Sequence, residues 1–109
     1  MTHTPEARLD RAQGHMAEAR IYEAIGELET LIGEHPAFLP GYIHLGLLHF
    51  QIGAIAKGRE FMNQALSRAS TLEEKGKISA VLREQDRLDR NRYYRPDFEA
   101  LQTPPRKTA

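Results

Sequence analysis

A spacing of 34 residues between similar side chains is the feature that most constrains the fold of this 109-residue chain. Four positions show it, each one period from its counterpart: Ala24 and Gly58, Leu28 and Met62, Ile32 and Leu66, Pro36 and Ser70. The pair Thr4-Pro5 likewise stands one period before Phe38-Leu39. Self-similarity at a period of about 20 to 50 residues indicates supersecondary units that repeat and pack side by side.

Start signals and hydrophobic spacing indicate that the repeated units are helical. Thr4-Pro5-Glu6 has the form of an N-cap followed by proline and an acid, which predicts a helix from residue 5. Apolar side chains recur every three to four residues over 20–32, and they point in nearly every direction over 38–52. The second pattern predicts a helix that is covered on several sides.

Two further helices follow, and no segment alternates as a strand does. Apolar residues between 55 and 66 predict a fourth helix. Ser70-x-x-Glu73 has the form of a capping box, which predicts a fifth helix from residue 71 to about residue 90. The sequence therefore predicts an all-α protein.

The second unit resembles the tetratricopeptide repeat, whose pattern is W-x2-L-G-x2-Y, then A-x3-F, then P. Its counterparts here are Tyr42, Leu45, Gly46, His49, Gly58, Met62 and Ser70, and those of the first unit are Ala24, Leu28 and Pro36. The resemblance implies a right-handed array of helical hairpins at 4–36 and 37–70 with a capping helix at 71–91. We accordingly expect a helical domain over 1–91 and an extended or disordered tail over 92–109.

The first half of the first unit departs from this pattern. Arg8, Arg11 and Ala12 stand where the family has an aromatic residue, a leucine and a glycine, and Gly14 lies inside the expected helix. A competing interpretation joins residues 5–33 into one long or kinked helix of a small bundle. The repeat interpretation requires small residues where helices approach closely, and Gly46 and Gly58 are suitable.

The resemblance also implies a concave surface lined by the first helix of each hairpin. The corresponding residues, which share a face at spacings of three and four, are Leu9, Gln13 and Met16, then Ile43, Leu47 and Phe50. This set is largely apolar and lacks the cationic donors that clamp a carboxylate, so we expect it to bind an amphipathic helix or hydrophobic segment. The alternative is that these side chains contact the capping helix and leave no groove.

The C-terminal segment supplies a second candidate contact. It contains basic, aromatic and aliphatic side chains in close succession: Arg92, Tyr93, Tyr94, Arg95, Phe98 and Leu101. Phe98 and Leu101 are three residues apart, as in a short docking helix, which favours contact with a partner or with the chain's own groove. The alternative hypothesis is that mixed arginine and tyrosine side chains stack on single-stranded nucleic acid.

Composition argues against several other functions. The chain has 15 basic and 15 acidic residues and no cysteine, which disfavours a DNA-coating protein and excludes thiolate catalysis and cysteine-based metal sites. His44 and His49 are five residues apart and so lie on different sides of a helix, where they cannot chelate one metal. We expect no catalytic residues, no cofactor and no metal.

We therefore expect a cytoplasmic protein without a membrane span that acts as a non-catalytic protein-interaction module. Its role would be that of an adaptor, an assembly factor or an accessory subunit, with another protein or a second copy of itself as partner. Repeat arrays generally need about three units to bury their apolar faces, and the apolar excess over 38–52 in this shorter array favours such a partner. The alternatives are a chaperone for a secreted or unfolded client, and nucleic-acid binding through the tail.

Overall fold

The computed structural model describes residues 4–93, and among these the side chains as far as residue 91. This part of the chain contains helices and no strand, as the sequence predicts. The helices are α1 (Pro5–Ala17), α2 (Ile21–Glu34), α3 (Leu39–Gln51), α4 (Ile55–Arg68) and α5 (Leu72–Tyr93). Each helix packs against the next one in the sequence. The helices α1 and α2 form the first hairpin, and α3 and α4 form the second.

The first helix begins where the sequence predicts. Thr4 is in an extended conformation, and its Oγ1 accepts a hydrogen bond of 3.1 Å from the backbone N–H of Ala7. Pro5 occupies the first helical turn, where its missing N–H would have had no intrahelical acceptor. The N-cap prediction is therefore confirmed.

A turn separates α1 from α2, so the interpretation of residues 5–33 as one helix is wrong. The turn depends on Ala19, whose φ of 62° lies in the left-handed region. The backbone N–H of Arg20 donates to the carbonyl of His15 at 2.7 Å and closes the end of α1. The corresponding turn between α3 and α4 contains Gly53, with φ of 86°.

The start of α5 differs from the prediction by one residue. The capping hydroxyl belongs to Thr71, whose Oγ1 accepts a hydrogen bond of 3.0 Å from the backbone N–H of Glu74. In return, Oε1 of Glu74 accepts from the N–H groups of Ser70 at 2.9 Å and Thr71 at 3.3 Å. The capping box is thus Thr71-x-x-Glu74 and not Ser70-x-x-Glu73. These backbone hydrogen bonds, the one from Ser70 foremost, lower the pKa of Glu74.

Small residues allow the two helices of each hairpin to approach closely. A Cβ on Gly58 would overlap Cδ1 of Phe50 and lie 3.0 Å from the carbonyl oxygen of Gly46. In the first hairpin, the residues one period earlier are Ala12 and Ala24, and both are fully buried. Ala12 therefore serves as the small contact residue despite its departure from the family pattern.

One continuous core joins all five helices. Its largest fully buried side chains are Leu28, Leu31, Leu45, Leu48, Met62 and Ile78. Ile78 belongs to α5, so this helix closes the end of the core as a capping helix does. Arg59 of α4 adds an ion pair to Asp86 and another of 2.5 Å to Asp89, both on α5.

Candidate functional site

An open cleft lies between α3 and α5. Its volume is about 380 Å³, and its walls are formed by Leu47, Phe50, Ala80, Val81, Glu84, Gln85 and Leu88. Two leucines that line it remain accessible to solvent, with exposed fractions of 40% for Leu47 and 43% for Leu88. Leu47 and Leu88 therefore present apolar surface to solvent within the cleft.

The cleft follows from the helical spacing of its residues. Leu47 and Phe50 are three residues apart on α3, and Val81, Gln85 and Leu88 are separated by four and three residues on α5. Each set therefore lies on one face of its helix. Ala80 offers little side-chain volume, so the space between the two helices stays open.

Ion pairs fix the orientation of α5 and the charges beside the cleft. Gln85 is buried and donates from Nε2 to Oδ1 of Asp89 at 2.9 Å, and Asp89 also pairs with Arg59. Hydrogen bonds to Asp86 and then Asp89 raise the pKa of Arg59. Glu84 accepts a hydrogen bond from Arg87, which lowers the pKa of Glu84.

The structure brings together two of the six residues expected to line a groove, Leu47 and Phe50. Leu9, Met16 and Ile43 are partly buried and pack against the core, and Gln13 is exposed. None of these four lines the α3–α5 cleft. Leu47 and Phe50 do face the capping helix, as the alternative interpretation expected, yet a cleft remains between the helices.

Sequence reasoning missed the residues that α5 contributes. Val81 lies 34 residues after Leu47, and Glu84 lies 34 residues after Phe50. Extending the repeat register into the capping helix would therefore have identified both positions. The 34-residue period thus indicated these two positions, although α5 lacks most of the repeat's characteristic residues.

The histidines of α3 are packed side chains. His49 is 8% exposed, and its ring stacks on Phe61 with a centroid separation of 5.3 Å. Burial lowers the pKa of His49, and the positive charge of Lys57 adds to this effect. Burial also lowers the pKa of His44. Within residues 4–93, no three His, Asp or Glu side chains are grouped so that they could hold a metal ion.

Most of the predicted tail contact lies outside the described residues. This holds for Tyr94, Arg95, Phe98 and Leu101. Arg92 and Tyr93 belong to the last turn of α5, beyond the residues whose side chains are described. The helix therefore continues two residues past the domain boundary expected at residue 91.

Comparison of the structure with solved structures identifies the fold. The chain is similar to the crystal structure of a tetratricopeptide repeat domain protein from Salinibacter ruber, with a TM-score of 0.70 and 19% sequence identity. The similarity covers 79% of this chain and 99% of that one. The chain therefore has the tetratricopeptide repeat fold, as the sequence pattern predicts.

Comparisons of sequence alone add no relative. No protein-family model matches the chain, and no curated protein matches it. Among the helices of residues 4–93, none has the length and apolar character that crossing a membrane requires.

Proposed function

We propose that this chain is a non-catalytic protein-interaction module, acting as an adaptor, an assembly factor or an accessory subunit. Its binding surface is the α3–α5 cleft, which takes apolar side chains from a segment of a partner protein. The observation that carries the proposal is the pair of accessible leucines, Leu47 and Leu88, in an apolar cleft. Covering such surface contributes about 25 cal/mol for each Å² removed from water.

The size of the cleft indicates how much of a partner it can hold. A volume of about 380 Å³ is near the lower end of the range of about 300 to 1,000 Å³ found for ligand pockets. It accommodates one or two side chains, while the backbone that carries them lies along the helices. An amphipathic helix with anchors three or four residues apart has this geometry.

The titratable groups beside the cleft support a binding role and not a catalytic one. The hydrogen bond from Arg87 lowers the pKa of Glu84, whereas a general acid near neutral pH needs a raised pKa. Gln85, the other polar residue of the lining, does not titrate. His49 contacts Phe61 and lies outside the cleft lining.

The experiment compares partner capture by a cleft variant and by a matched surface variant. Leu47→Glu/Leu88→Glu places two carboxylates in the cleft, and both positions are exposed enough to tolerate them. Phe50 is left unchanged because it packs against Gly58. The control is Tyr22→Glu/Leu72→Glu, which makes the same change at residues that are 73% and 88% exposed and lie outside the cleft.

We expect a protein retained from the source cells by the wild type and by the control to be lost with the cleft variant. Circular dichroism must first show that all three proteins are equally helical. Equal capture by the cleft and control variants would contradict the proposal. Retention that disappears with rising salt and with removal of the residues after Tyr93 would instead support nucleic-acid binding by the tail.

Two further measurements separate the remaining candidates. Competition by an unrelated hydrophobic peptide would favour a chaperone for unfolded clients, because a dedicated adaptor discriminates against such a peptide. Sedimentation at increasing concentration tests self-association. A dimer that is lost with Leu47→Glu/Leu88→Glu would identify a second copy of the chain as the occupant.

A further inference from the structure

The α3–α5 cleft lies close to the point where the described chain ends. Leu88 lines the cleft and precedes Tyr93, the last residue of α5, by five residues. At a rise of 1.5 Å per residue, this distance is about 7.5 Å along the helix axis. The segment 94–109 therefore leaves α5 about one and a half turns beyond the cleft.

We infer that the chain's own C-terminal segment occupies this cleft through Phe98 and Leu101, and that a partner must displace it. The inference rests on the proposed function only in taking the cleft as the partner's binding site. It assigns a regulatory role to the segment: the tail and the partner compete for one apolar surface.

The length of the segment permits this contact. Phe98 is five residues after Tyr93, and an extended chain spans roughly 17 Å over five residues. The distance along α5 from Tyr93 back to Val81 is about 18 Å, and that to Leu88 is less than half as long. Phe98 can therefore reach the Leu88 end of the cleft, and Leu101, three residues further on, is within reach of the same end.

The chemistry of the segment complements the cleft. Phe98 and Leu101 are its largest wholly apolar side chains, and their spacing of three places both on one side of a helical turn. Asp97 and Glu99 flank Phe98 and would face water in such a turn. Two anchors of this kind match a cleft of about 380 Å³ whose wall includes Leu47, Val81 and Leu88.

A tether makes this contact favourable even when the two side chains bind weakly. A short flexible connection holds the segment at an effective concentration of roughly millimolar near the cleft. An external partner has to compete against that concentration. Ending the chain after Tyr93 should therefore tighten partner binding by about threefold or more.

The absence of cysteine from the sequence allows a direct test on the full chain. A nitroxide attached to Thr103→Cys is used together with methyl-labelled leucine and valine. We expect the methyl signals of Leu47, Val81 and Leu88 to be broadened, while those of Leu9 on α1 stay sharp. The matched control carries the same nitroxide and Phe98→Asp/Leu101→Asp, and the broadening of its cleft signals should decrease.

Three outcomes would overturn the inference. The first is a set of cleft signals without broadening, and the second is broadening that Phe98→Asp/Leu101→Asp leaves in place. The third is broadening that arises only between molecules, seen when nitroxide-bearing and methyl-labelled chains are mixed. That result would assign the cleft to the tail of a second copy.

Because this measurement uses no partner, it separates the inference from the proposed function. Sharp cleft signals together with partner binding that depends on Leu47 and Leu88 would overturn the inference and leave the proposed function standing. Broadened signals together with partner binding that ignores both leucines would overturn the proposed function, and with it the competition between tail and partner.

Discussion

The two hairpins share one backbone plan, but different chemistry stabilises them. The second hairpin uses an aromatic set. The hydroxyl of Tyr42 donates to the carbonyl of Pro36 at 2.8 Å, and the guanidinium of Arg68 lies 4.2 Å from the centre of the Tyr42 ring. His49 stacks on Phe61 in the same hairpin.

The first hairpin has charged residues at the corresponding positions. Arg8 is one period before Tyr42, and it pairs with Glu27 at 2.7 Å and with Glu34 at 2.8 Å. These two glutamates are one period before Phe61 and Arg68. The pairs Tyr42–Arg68 and Arg8–Glu34 occupy the same two repeat positions, and the residues at those positions make the contact cation–π in one hairpin and ionic in the other.

The largest expected difference concerns the closest helix contact. Gly58→Ala should lower the free energy of unfolding by about 2 kcal/mol, because the new Cβ would overlap Phe50 and crowd the backbone of Gly46. Denaturant titration measures the change. The matched control is Gly26→Ala in α2, where nothing lies within 4 Å of the new Cβ.

The control should behave in the opposite way. In Gly26→Ala, only the gain in helix propensity remains, so the free energy of unfolding should rise by roughly 0.5 to 1 kcal/mol. If both substitutions stabilised the protein, α3 and α4 would not be as close as the structure shows.

Dependence on salt should distinguish the ionic hairpin from the aromatic one. Tyr42→Phe should cost about 1 kcal/mol at any salt concentration, because it removes one hydrogen bond between uncharged groups. In low salt, Arg8→Met should lower the free energy of unfolding by more than Tyr42→Phe does. The reason is that Glu27 is only 13% exposed and would retain only the longer ion pair of 3.9 Å to Arg11. That cost should shrink in concentrated salt, which screens charge interactions. Equal salt dependence of the two variants would contradict the distinction.

The turns within the hairpins differ in a similar way. Ala19 and Gly53 are one period apart, and both have positive φ, but only glycine adopts this conformation without strain. Ala19→Gly should raise the free energy of unfolding by up to about 1 kcal/mol, and Gly53→Ala should lower it by about the same amount. Thermal unfolding of the two variants provides the test, and shifts of the same sign would contradict it.

The comparison of equivalent positions in the two hairpins explains which parts of the fold could be predicted from the sequence. The start of α1 could be predicted because Thr4 and Pro5 act within a single turn. The hairpin contacts of Gly46 and Gly58 could be predicted because the repeat register places small residues opposite each other. The ionic set around Arg8 could not, since its glutamates are 19 and 26 residues away and only the folded hairpin brings them to it.

Prediction was limited at α5 for two separate reasons. Ser70-x-x-Glu73 and Thr71-x-x-Glu74 are overlapping capping boxes in the sequence, and only the backbone conformation decides between them. The sequence predicted a groove between the first helices of the two hairpins, and of its six residues only Leu47 and Phe50 line the cleft against α5. The other side of the cleft comes from α5, where Val81 and Leu88 keep the helical spacing in a segment without most of the repeat's characteristic residues.

The smallest expected effect comes from His49, and it depends on pH. Burial lowers the pKa of this side chain in the folded state, and Lys57 lowers it further, while Glu29 acts weakly in the opposite direction. The unfolded chain therefore binds a proton more readily than the folded one. Stability is complete above the ordinary histidine pKa of about 6.5 and falls as the pH drops from there towards the lowered value.

His49→Phe should reduce this loss of stability in acid, because phenylalanine can stack on Phe61 and takes up no proton. Part of the loss should remain, since burial also lowers the pKa of His44. The matched control is His15→Phe, one period earlier in the first hairpin, which leaves His49 in place and should keep the acid-dependent loss that His49 causes. Denaturant titrations between pH 7 and pH 5 measure the difference. An acid loss unchanged by His49→Phe would show that protonation of this ring does not destabilise the α3–α4 contact.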